Sequence, residues 1–260
     1  MKFDKAIMNP PYLGSLHLKI LETAFKNINS IIINLSPILW MEFPNSEYKD
    51  GDFLDGHLNE LSVINKETSR KLFNARNQTD LGIYTIVRNC NKSLKSYNPF
   101  MLRGIADYEL CDSIWKKMME YKCCSIKDVI TKRTEPLNGY CVIFSHMSGL
   151  CKNHDFVYTN GVAPNGRTYK ENVKNQHKNE TSHHIKFNSY KEADNFRKSL
   201  STKFMKFIIS VGQPGLLYTM DTIPFMKDYT VEWTDKKLYE FFHLNSSEIS
   251  FIESFSPLER

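Results

Sequence analysis

Runs of apolar and polar residues divide the first part of the chain into strands and helices. The short, mostly apolar run from Phe3 to Met8 is typical of a buried strand that ends at a proline signal. From Ser15 to Ile28, apolar residues recur at three- and four-residue spacing, which predicts an amphipathic helix. The β-branched run 30–35 predicts a second buried strand, which is stopped by Pro37.

Two more strands are predicted before the composition changes. Residues 61–64 are a short strand candidate, and residues 81–87 have the composition of a strand. Between them, residues 71–73 lead into a polar turn over residues 74–80. The resulting order is strand, helix, strand, loop, strand, polar turn and strand, which predicts an α/β domain.

Beyond residue 98 the chain has fewer β-branched runs and more polar residues, which indicates a domain boundary near residues 95–110. The elements expected beyond it are a helix over 107–121, strands over 126–130 and 140–144, and long loops over 151–184. A capping box at 189–192 precedes a continuous helical stripe that reaches Ile208. Residues 233–235 and 245–248 carry the start signals of two further helices.

The composition is that of an ordinary soluble protein. The chain has 260 residues, of which 41% are hydrophobic, and this length suffices for one large or two small domains. No apolar run approaches the ~20 residues needed to span a membrane, and the N-terminus lacks the pattern of a signal peptide, so a cytoplasmic location is expected. The six cysteines contain no Cys-x-x-Cys pair, which favours free thiols. Cys151 and His154 have the spacing of half a metal site, but no second half follows, so no metal is predicted.

The residues Asn9, Pro10, Pro11 and Tyr12 carry the candidate chemistry. Asn9 falls where the first predicted strand ends, and open α/β sheets bind ligands outside the carboxyl ends of their strands. The two prolines remove two backbone donors and fix φ, which leaves the Asn9 amide and the Pro10 carbonyl as a rigid pair of acceptors. Such a pair suits an exocyclic amine, and Tyr12 is placed to stack on the ring that carries this amine. The alternative is an Asn-Pro-Pro turn without chemistry.

This tetrapeptide resembles motif IV of the amino-methylating methyltransferases, which use S-adenosylmethionine. Similar tetrapeptides serve N6-adenine DNA methyltransferases, ribosomal RNA guanine methyltransferases and the enzyme that methylates a glutamine of release factors. The resemblance implies that Asn9 to Tyr12 receive the target nitrogen. The run Ile31 to Pro37 is similar to motif VI, and Leu72-Phe73 lies where many N6-adenine enzymes place motif VIII. This implies that Phe73 stacks on the adenine face opposite Tyr12; the alternative is a core residue beneath the turn.

The resemblance covers most of the chain. Residues 222–253 are similar to the closing segment of type II restriction-modification methylases of the N6-adenine kind. The competing RNA and protein enzymes usually end soon after their last strand, whereas a long second part follows here, which favours DNA adenine. The implied fold is α/β, with a partial class I (Rossmann-like) methyltransferase sheet over residues 1–103. An α+β target-recognition domain with a helical tail is expected over residues 104–260.

A basic stretch supports double-stranded DNA as the partner. The net charge is +5, and residues 167–206 contain ten lysines and arginines against four acidic residues. Such a stretch is either a solvated face or a surface that contacts phosphate groups, and beside a base-modifying motif the second interpretation is favoured. The residues expected to bind DNA are Lys132, Arg133, Arg167, Lys170, Lys174, Lys198 and Lys203.

The cofactor site is not apparent in the sequence. The family places a strand, a glycine-rich loop and a helix before motif IV, because the backbone of that loop approaches the cofactor closely. Only eight residues precede Asn9, and the glycine-containing stretch 209–215 is not followed by a hydrophobic helix. We expect S-adenosylmethionine as cofactor and assign no residue to its binding. Three explanations of the missing glycine-rich half are open: a truncated gene product, a second polypeptide that completes the chain, or a derived protein that has lost methylation. The alternative is a non-catalytic DNA-binding or specificity subunit that keeps the base pocket as structure.

Overall fold

The computed structural model describes residues 3–42, 51–74, 79–88, 90–121, 124–130, 139–145, 157–159, 182–212 and 223–255. The chain divides into two units, Met1–Tyr108 and Glu109–Arg260. Helices and strands alternate in the first unit and both occur in the second, so the expected α/β class is confirmed at this coarse level. No helix of the described ranges is long and apolar enough to cross a membrane.

A four-stranded mixed sheet forms the centre of the first unit. Its strands are β1 (Phe3–Met8), β2 (Ile28–Pro37), β3 (Leu58–Ile64) and β4 (Leu81–Val87). Their order in the sheet is β1, β2, β4, β3. β1 is parallel to β2, whereas β4 lies antiparallel between β2 and β3. The strands predicted at 3–8 and 81–87 are confirmed with the same bounds, and the other two are longer than their apolar runs. β1 was expected to be buried, but its residues are exposed or half-buried, because it pairs with β2 alone among the described strands.

Four helices connect or flank these strands. They are α1 (Leu16–Asn27), α2 (Leu39–Glu42), α3 (Lys66–Phe73) and α4 (Pro99–Leu102), with 3₁₀ turns at Asp52–Leu54 and Leu94–Ser96. α1 buries Leu18 and Leu21, as its apolar spacing predicted. α3 was not predicted, and it begins directly after β3 because the side chain of Asn65 accepts a hydrogen bond from the Thr68 N–H.

The two faces of the sheet differ in their burial. On one face, Ile32 and Tyr84 are buried and pack with Leu21 of α1 in the core of the first unit. Successive side chains of a strand project to opposite faces, so the residues next to Ile32 and Tyr84 in the sequence lie on the other face of the sheet.

We call that other side the open face. It includes Ile7, Ile33 and Ile83, which are 85%, 38% and 42% exposed. β1 pairs only with β2 among the described strands, so its second edge has no strand partner there. The first unit therefore presents an apolar face beside a strand edge.

The rest of the described chain combines six helices with two small antiparallel sheets. The helices are α5 (Tyr108–Tyr121), α6 (Ile126–Val129), α7 (Tyr190–Leu200), α8 (Lys203–Val211), α9 (Asp235–Phe241) and α10 (Ser246–Ser254). The strands are β5 (Cys124–Ser125), β6 (Tyr140–Ser145), β7 (Val157–Thr159), β8 (Ser182–Phe187) and β9 (Pro224–Phe225). β7, β6 and β8 form one sheet in this order, and β5 pairs with β9. Fully buried phenylalanines of α7 and α8 contribute to the core of this unit.

Several predictions for this part were wrong. The strand expected at 126–130 is the helix α6, because Ser125 and Asp128 form a capping box that starts a helical turn. The stripe expected as one helix forms α7 and α8, because Thr202 caps the second helix by accepting from the Met205 N–H. The long loops expected over 151–184 fall mostly outside the described residues, and the part that is described includes β7. The last two helices are confirmed, with Thr234 and Asn245 as their N-caps.

Candidate active site

The motif Asn9 to Tyr12 follows β1 directly, at the edge of the sheet where the two parallel strands end. Met8, the last residue of β1, pairs with Asn34 of β2. β3 ends and β4 begins at the same edge, since Leu81 of β4 pairs with the last residue of β2 and of β3. The motif therefore occupies the position at which open α/β sheets bind ligands.

Asn9 and Tyr12 are joined by a hydrogen bond inside the motif. Asn9 is exposed, whereas Pro10 next to it is buried. The Tyr12 hydroxyl donates to Asn9 Oδ1 at 2.5 Å and also lies 3.3 Å from the Leu35 carbonyl oxygen of β2. The Tyr12 hydroxyl thus has two acceptors within reach. The nearer one, Asn9 Oδ1, is the oxygen predicted from the sequence to accept a hydrogen bond from a substrate amine.

This contact decides how an amine would meet the motif. An amide oxygen has two lone pairs, so Asn9 Oδ1 retains one acceptor position while it is bound by Tyr12. Burial raises the pKa of Tyr12 above its ordinary value, so its hydroxyl is protonated and acts as a donor at neutral pH. An amine that binds here must share the Asn9 oxygen with this hydroxyl or displace it.

The ring of Tyr12 packs against the start of α1. His17 of α1 contacts it in a T-shaped arrangement, with 6.5 Å between ring centroids. His17 Nδ1 lies 3.1 Å from the carbonyl oxygen of Gly14, whose φ of 54° is in the left-handed region that favours glycine. Tyr12 nevertheless keeps 38% of its surface exposed, which leaves part of the ring open to a planar ligand.

A buried polar network on β2 and β4 lies next to the motif. Asn34 and Ser36 are fully buried, and so is Tyr84, which pairs with Asn34 across the sheet. Asn34 Nδ2 donates to Ser36 Oγ at 2.9 Å, and Ser36 Oγ lies 2.7 Å from the Tyr84 hydroxyl. The sequence interpretation treated β2 as an apolar strand and missed this network. A signal was present, since Asn34 and Ser36 are two residues apart and so share one face.

The network is neutral and lies close to Tyr12. Burial raises the pKa of Tyr84 to about 12, although hydrogen bonds with Ser36 and Asn34 oppose the shift. The proximity of the Tyr12 phenol adds a smaller contribution to the rise in the pKa of Tyr84, because the two phenols would repel each other if both were ionised. Asn34 Oδ1 is buried and has no hydrogen-bond partner among the described residues. Such an acceptor costs about 1–3 kcal/mol, so stability alone does not account for Asn34.

Phe73 lies at the end of α3 and is not a core residue, since it is 46% exposed. Asn74 ends the helix with a φ of 47°, in the left-handed region common at helix C-termini. Within the described chain, the ring that contacts Tyr12 is His17 and not Phe73. The proposed stacking of Phe73 on a base remains a prediction.

The structure describes two of the seven predicted DNA-binding residues, Lys198 and Lys203. The other five, Lys132, Arg133, Arg167, Lys170 and Lys174, lie outside the described residues.

Both described lysines already have an acidic partner. Lys198 Nζ lies 3.0 Å from Asp194, which Arg197 also binds at 2.8 Å. Partial burial opposes ionisation of Asp194, but its hydrogen bonds with these two cations lower its pKa overall. Lys203 forms an ion pair with Glu253. Contact with a phosphate would therefore replace an existing ion pair at each lysine, which reduces the expected gain in affinity.

The described residues provide no candidate metal centre, since no group of three or more His, Cys, Asp or Glu side chains among them could hold an ion. Cys151 and His154 lie outside the described residues. The glycine-containing stretch 209–215 begins inside α8, and Gly212 is the C-cap of that helix. Comparisons of the chain with protein-family models, with curated proteins and with solved structures found no match.

Proposed function

We propose that this chain is the base-binding and target-recognition part of a site-specific DNA adenine N6-methyltransferase. Its substrate would be an adenine flipped out of the duplex, and its methyl donor S-adenosylmethionine. The observation that carries the proposal is the pairing of Asn9 with Tyr12. The side-chain amide of Asn9, an exposed residue, and the partly exposed phenol ring of Tyr12 lie side by side at the carboxyl end of β1. These are the two groups that an exocyclic amine and its ring require.

Each residue has a defined part in this reaction. Asn9 Oδ1 and the Pro10 carbonyl accept hydrogen bonds from the two protons of the adenine amine, which makes the nitrogen lone pair available. S-adenosylmethionine, when bound, would supply an electrophilic methyl group to this nitrogen and would retain the sulfur, and one amine proton would leave to solvent. Stacking of the base on Tyr12 contributes about 1–3 kcal/mol to binding. No residue of this chain is assigned to hold S-adenosylmethionine.

The sheet of the first unit supports a methyltransferase rather than a simple turn. β1 leads into the motif, is parallel to β2 and is connected to it through α1. β4 is inserted antiparallel between β2 and β3, which is also how class I methyltransferase sheets are completed. A turn without chemistry requires neither this topology nor an exposed asparagine beside a tyrosine.

DNA is favoured over RNA guanine or protein glutamine because a large second unit follows the sheet and because the basic excess lies in it. A non-catalytic DNA-binding subunit is the second candidate. It is favoured by the Tyr12 hydroxyl, which occupies one acceptor position of Asn9 in the absence of substrate. A pocket retained only as structure would have its polar groups satisfied internally in this way.

The experiment that separates these functions measures methylated products in a host that lacks adenine methylation. The chain is expressed alone and with the products of its neighbouring genes, and hydrolysates of DNA, ribosomal RNA and protein are analysed by mass spectrometry. We expect N6-methyladenine when the wild-type chain is expressed together with a partner that supplies the glycine-rich half, and none when Asn9→Ala replaces the wild-type chain. Asn29→Ala, which changes an exposed asparagine of β2, serves as the matched control and should leave the level unchanged.

Each other outcome assigns the site differently. Methylguanine in RNA or methylglutamine in protein, absent in Asn9→Ala, would place the motif with another amine substrate. Specific DNA binding without any methylated product would overturn the catalytic proposal in favour of the non-catalytic subunit.

A further inference from the structure

The Leu35 carbonyl of β2 is the second acceptor within reach of the Tyr12 hydroxyl. The hydroxyl lies 2.5 Å from Asn9 Oδ1 and 3.3 Å from the Leu35 oxygen. The second distance is beyond the usual range for a good O–H···O bond, so the free site holds the hydroxyl mainly on Asn9. A small movement of the ring would transfer it to Leu35.

Both neighbours of Leu35 are anchored by the buried network. Asn34 precedes it and Ser36 follows it, and the two side chains are joined at 2.9 Å. Ser36 Oγ is in turn 2.7 Å from the Tyr84 hydroxyl of β4. These three side chains are buried on the core face, so they hold the peptide units on either side of Leu35 through tertiary contacts in addition to the strand pairing.

We propose that Tyr84 is a positioning residue, which acts through Ser36 and Asn34 to hold the Leu35 carbonyl where it can receive the Tyr12 hydroxyl when a substrate amine takes Asn9 Oδ1. The proposal rests on the proposed function for the identity of the amine. In the free site, the Tyr12 hydroxyl donates its hydrogen bond to Asn9 Oδ1. When the amine arrives, the hydroxyl moves to Leu35, so neither the amine nor the phenol is left without a partner.

The unfavourable free energy of burying the polar network of Asn34, Ser36 and Tyr84 is consistent with a positioning role. A buried donor or acceptor without a partner is unfavourable, and Asn34 Oδ1 is one in the described part of the chain. Apolar residues at these positions would avoid this cost and would match the β-branched residues elsewhere in β2. Apolar residues would not, however, join β4 by side-chain hydrogen bonds to the two residues that flank Leu35.

A double-mutant cycle tests the coupling between Tyr84 and Tyr12. Binding of 9-methyladenine is measured by calorimetry for the wild-type chain, Tyr12→Phe, Tyr84→Phe and the double variant. We expect Tyr84→Phe to weaken binding about fivefold in the wild-type background, the equivalent of one ordinary hydrogen bond. In the Tyr12→Phe background it should have no effect, because no hydroxyl has to move. Tyr97→Phe, which removes a half-buried phenol of the same unit, is the matched control and should not change binding.

An equal loss in both backgrounds would show that Tyr84 has only a structural role and would overturn the proposal. If 9-methyladenine binds to none of the variants, the proposed function fails, and a second measurement still tests the positioning. The ¹³Cζ resonance of Tyr12, identified by its absence in Tyr12→Phe, reports on its hydroxyl hydrogen bonds. We expect this resonance to shift in Tyr84→Phe and not in Tyr97→Phe. An unchanged resonance in Tyr84→Phe would overturn the positioning role independently of the substrate.

Discussion

The Tyr12 hydroxyl donates a hydrogen bond to Asn9 Oδ1, three residues before it, so the two groups expected to hold a substrate bind each other in its absence. The bond keeps the Asn9 amide in one orientation and the phenol ring beside it. A substrate amine would therefore meet a preorganised oxygen rather than a freely rotating side chain, and preorganisation of this kind lowers the entropy lost on binding.

Substitutions in the motif should separate methyl transfer from DNA binding. Asn9→Ala should abolish N6-adenine methylation, and Tyr12→Ala should weaken binding of the base by about 1–3 kcal/mol of stacking, whereas Tyr12→Phe keeps the ring and should retain substantial activity. Binding to duplex DNA should remain nearly unchanged, because these side chains act on the amine and the ring and not on the phosphates. Methylation kinetics and fluorescence anisotropy with labelled DNA measure the two properties. Full methylation by Asn9→Ala would disprove the assignment.

Replacement of the predicted phosphate-binding lysines should change the salt dependence of DNA binding. Substitution of Lys198 or Lys203 by alanine should weaken binding and reduce the slope of log K against log salt by about one unit for each phosphate that is no longer neutralised. Asp194→Asn should have the opposite effect on affinity, because it releases Lys198 from its ion pair. Lys26→Ala removes another paired surface lysine and is the control. If affinity and slope do not change, these lysines belong to a solvated face.

The same test applies to Lys170 and Lys174, which lie outside the described residues. Their joint replacement by alanine should weaken duplex binding and lower the slope by about one unit for each phosphate that they neutralise.

The open face, together with the edge of β1 that has no strand partner in the described part of the chain, should cause the isolated chain to self-associate. Ile7 is 85% exposed, so Ile7→Lys adds a charge there without disturbing the core. Sedimentation equilibrium should show a mass that rises with concentration for the wild-type chain and stays near 30.4 kDa for Ile7→Lys. Val231→Lys changes an exposed apolar residue of the second unit and should behave like the wild type. Equal association of wild type and Ile7→Lys would show that another surface is responsible.

The isolated chain should bind S-adenosylmethionine weakly or not at all, because neither the sequence nor the described residues of the site provide a glycine-rich loop that could approach the cofactor. Calorimetry measures this directly. A polypeptide that supplies a strand, a glycine-rich loop and a helix should restore cofactor binding and methylation together. Micromolar binding by a monomer of this chain alone would show that the cofactor site lies within it.

Glu248 should make the stability of the second unit depend on pH. It is 1% exposed and accepts hydrogen bonds from Ser113 Oγ, Lys117 Nζ and the Asn245 N–H. Burial alone would raise its pKa, but these three partners outweigh it, so the pKa of Glu248 is lowered from its ordinary value of 4.5. A lowered pKa in the folded state means that the stabilisation is present above the ordinary value and disappears as the pH falls through the lowered one.

Urea unfolding of Glu248→Gln measures this contribution. At pH 7 the variant should be less stable by about 1.5–3 kcal/mol, the range for hydrogen bonds to a charged group. The difference from the wild type should shrink as the pH falls below 4.5, the ordinary value for this carboxyl. Glu240→Gln, at an exposed position of α9, should show no such pH dependence. A constant difference across this range would contradict the assignment.

The local sequence was sufficient for most elements of the first unit and for the motif. The bounds of β1 and β4, the stripe of α1 and the caps of α9 and α10 depend on side-chain periodicity and on hydrogen bonds within one turn, which a linear sequence displays. Where these signals compete, the sequence was misleading: at Ile126 the apolar run favoured a strand, but the capping box of Ser125 and Asp128 starts a helix.

Tertiary structure alone decided which groups meet at the candidate site. Ser36 and Tyr84 are 48 residues apart, and their contact depends on the antiparallel register of β2 with β4. A shift of that register by one residue would place Tyr84 on the open face, so no property of either segment by itself reveals the pair. The same holds for Leu35, whose carbonyl lies near Tyr12 because β1 is parallel to β2 and ends beside it. Residue types and spacing predict chemistry within a segment, whereas contacts between segments depend on strand order and register, which pairing across the whole sheet determines.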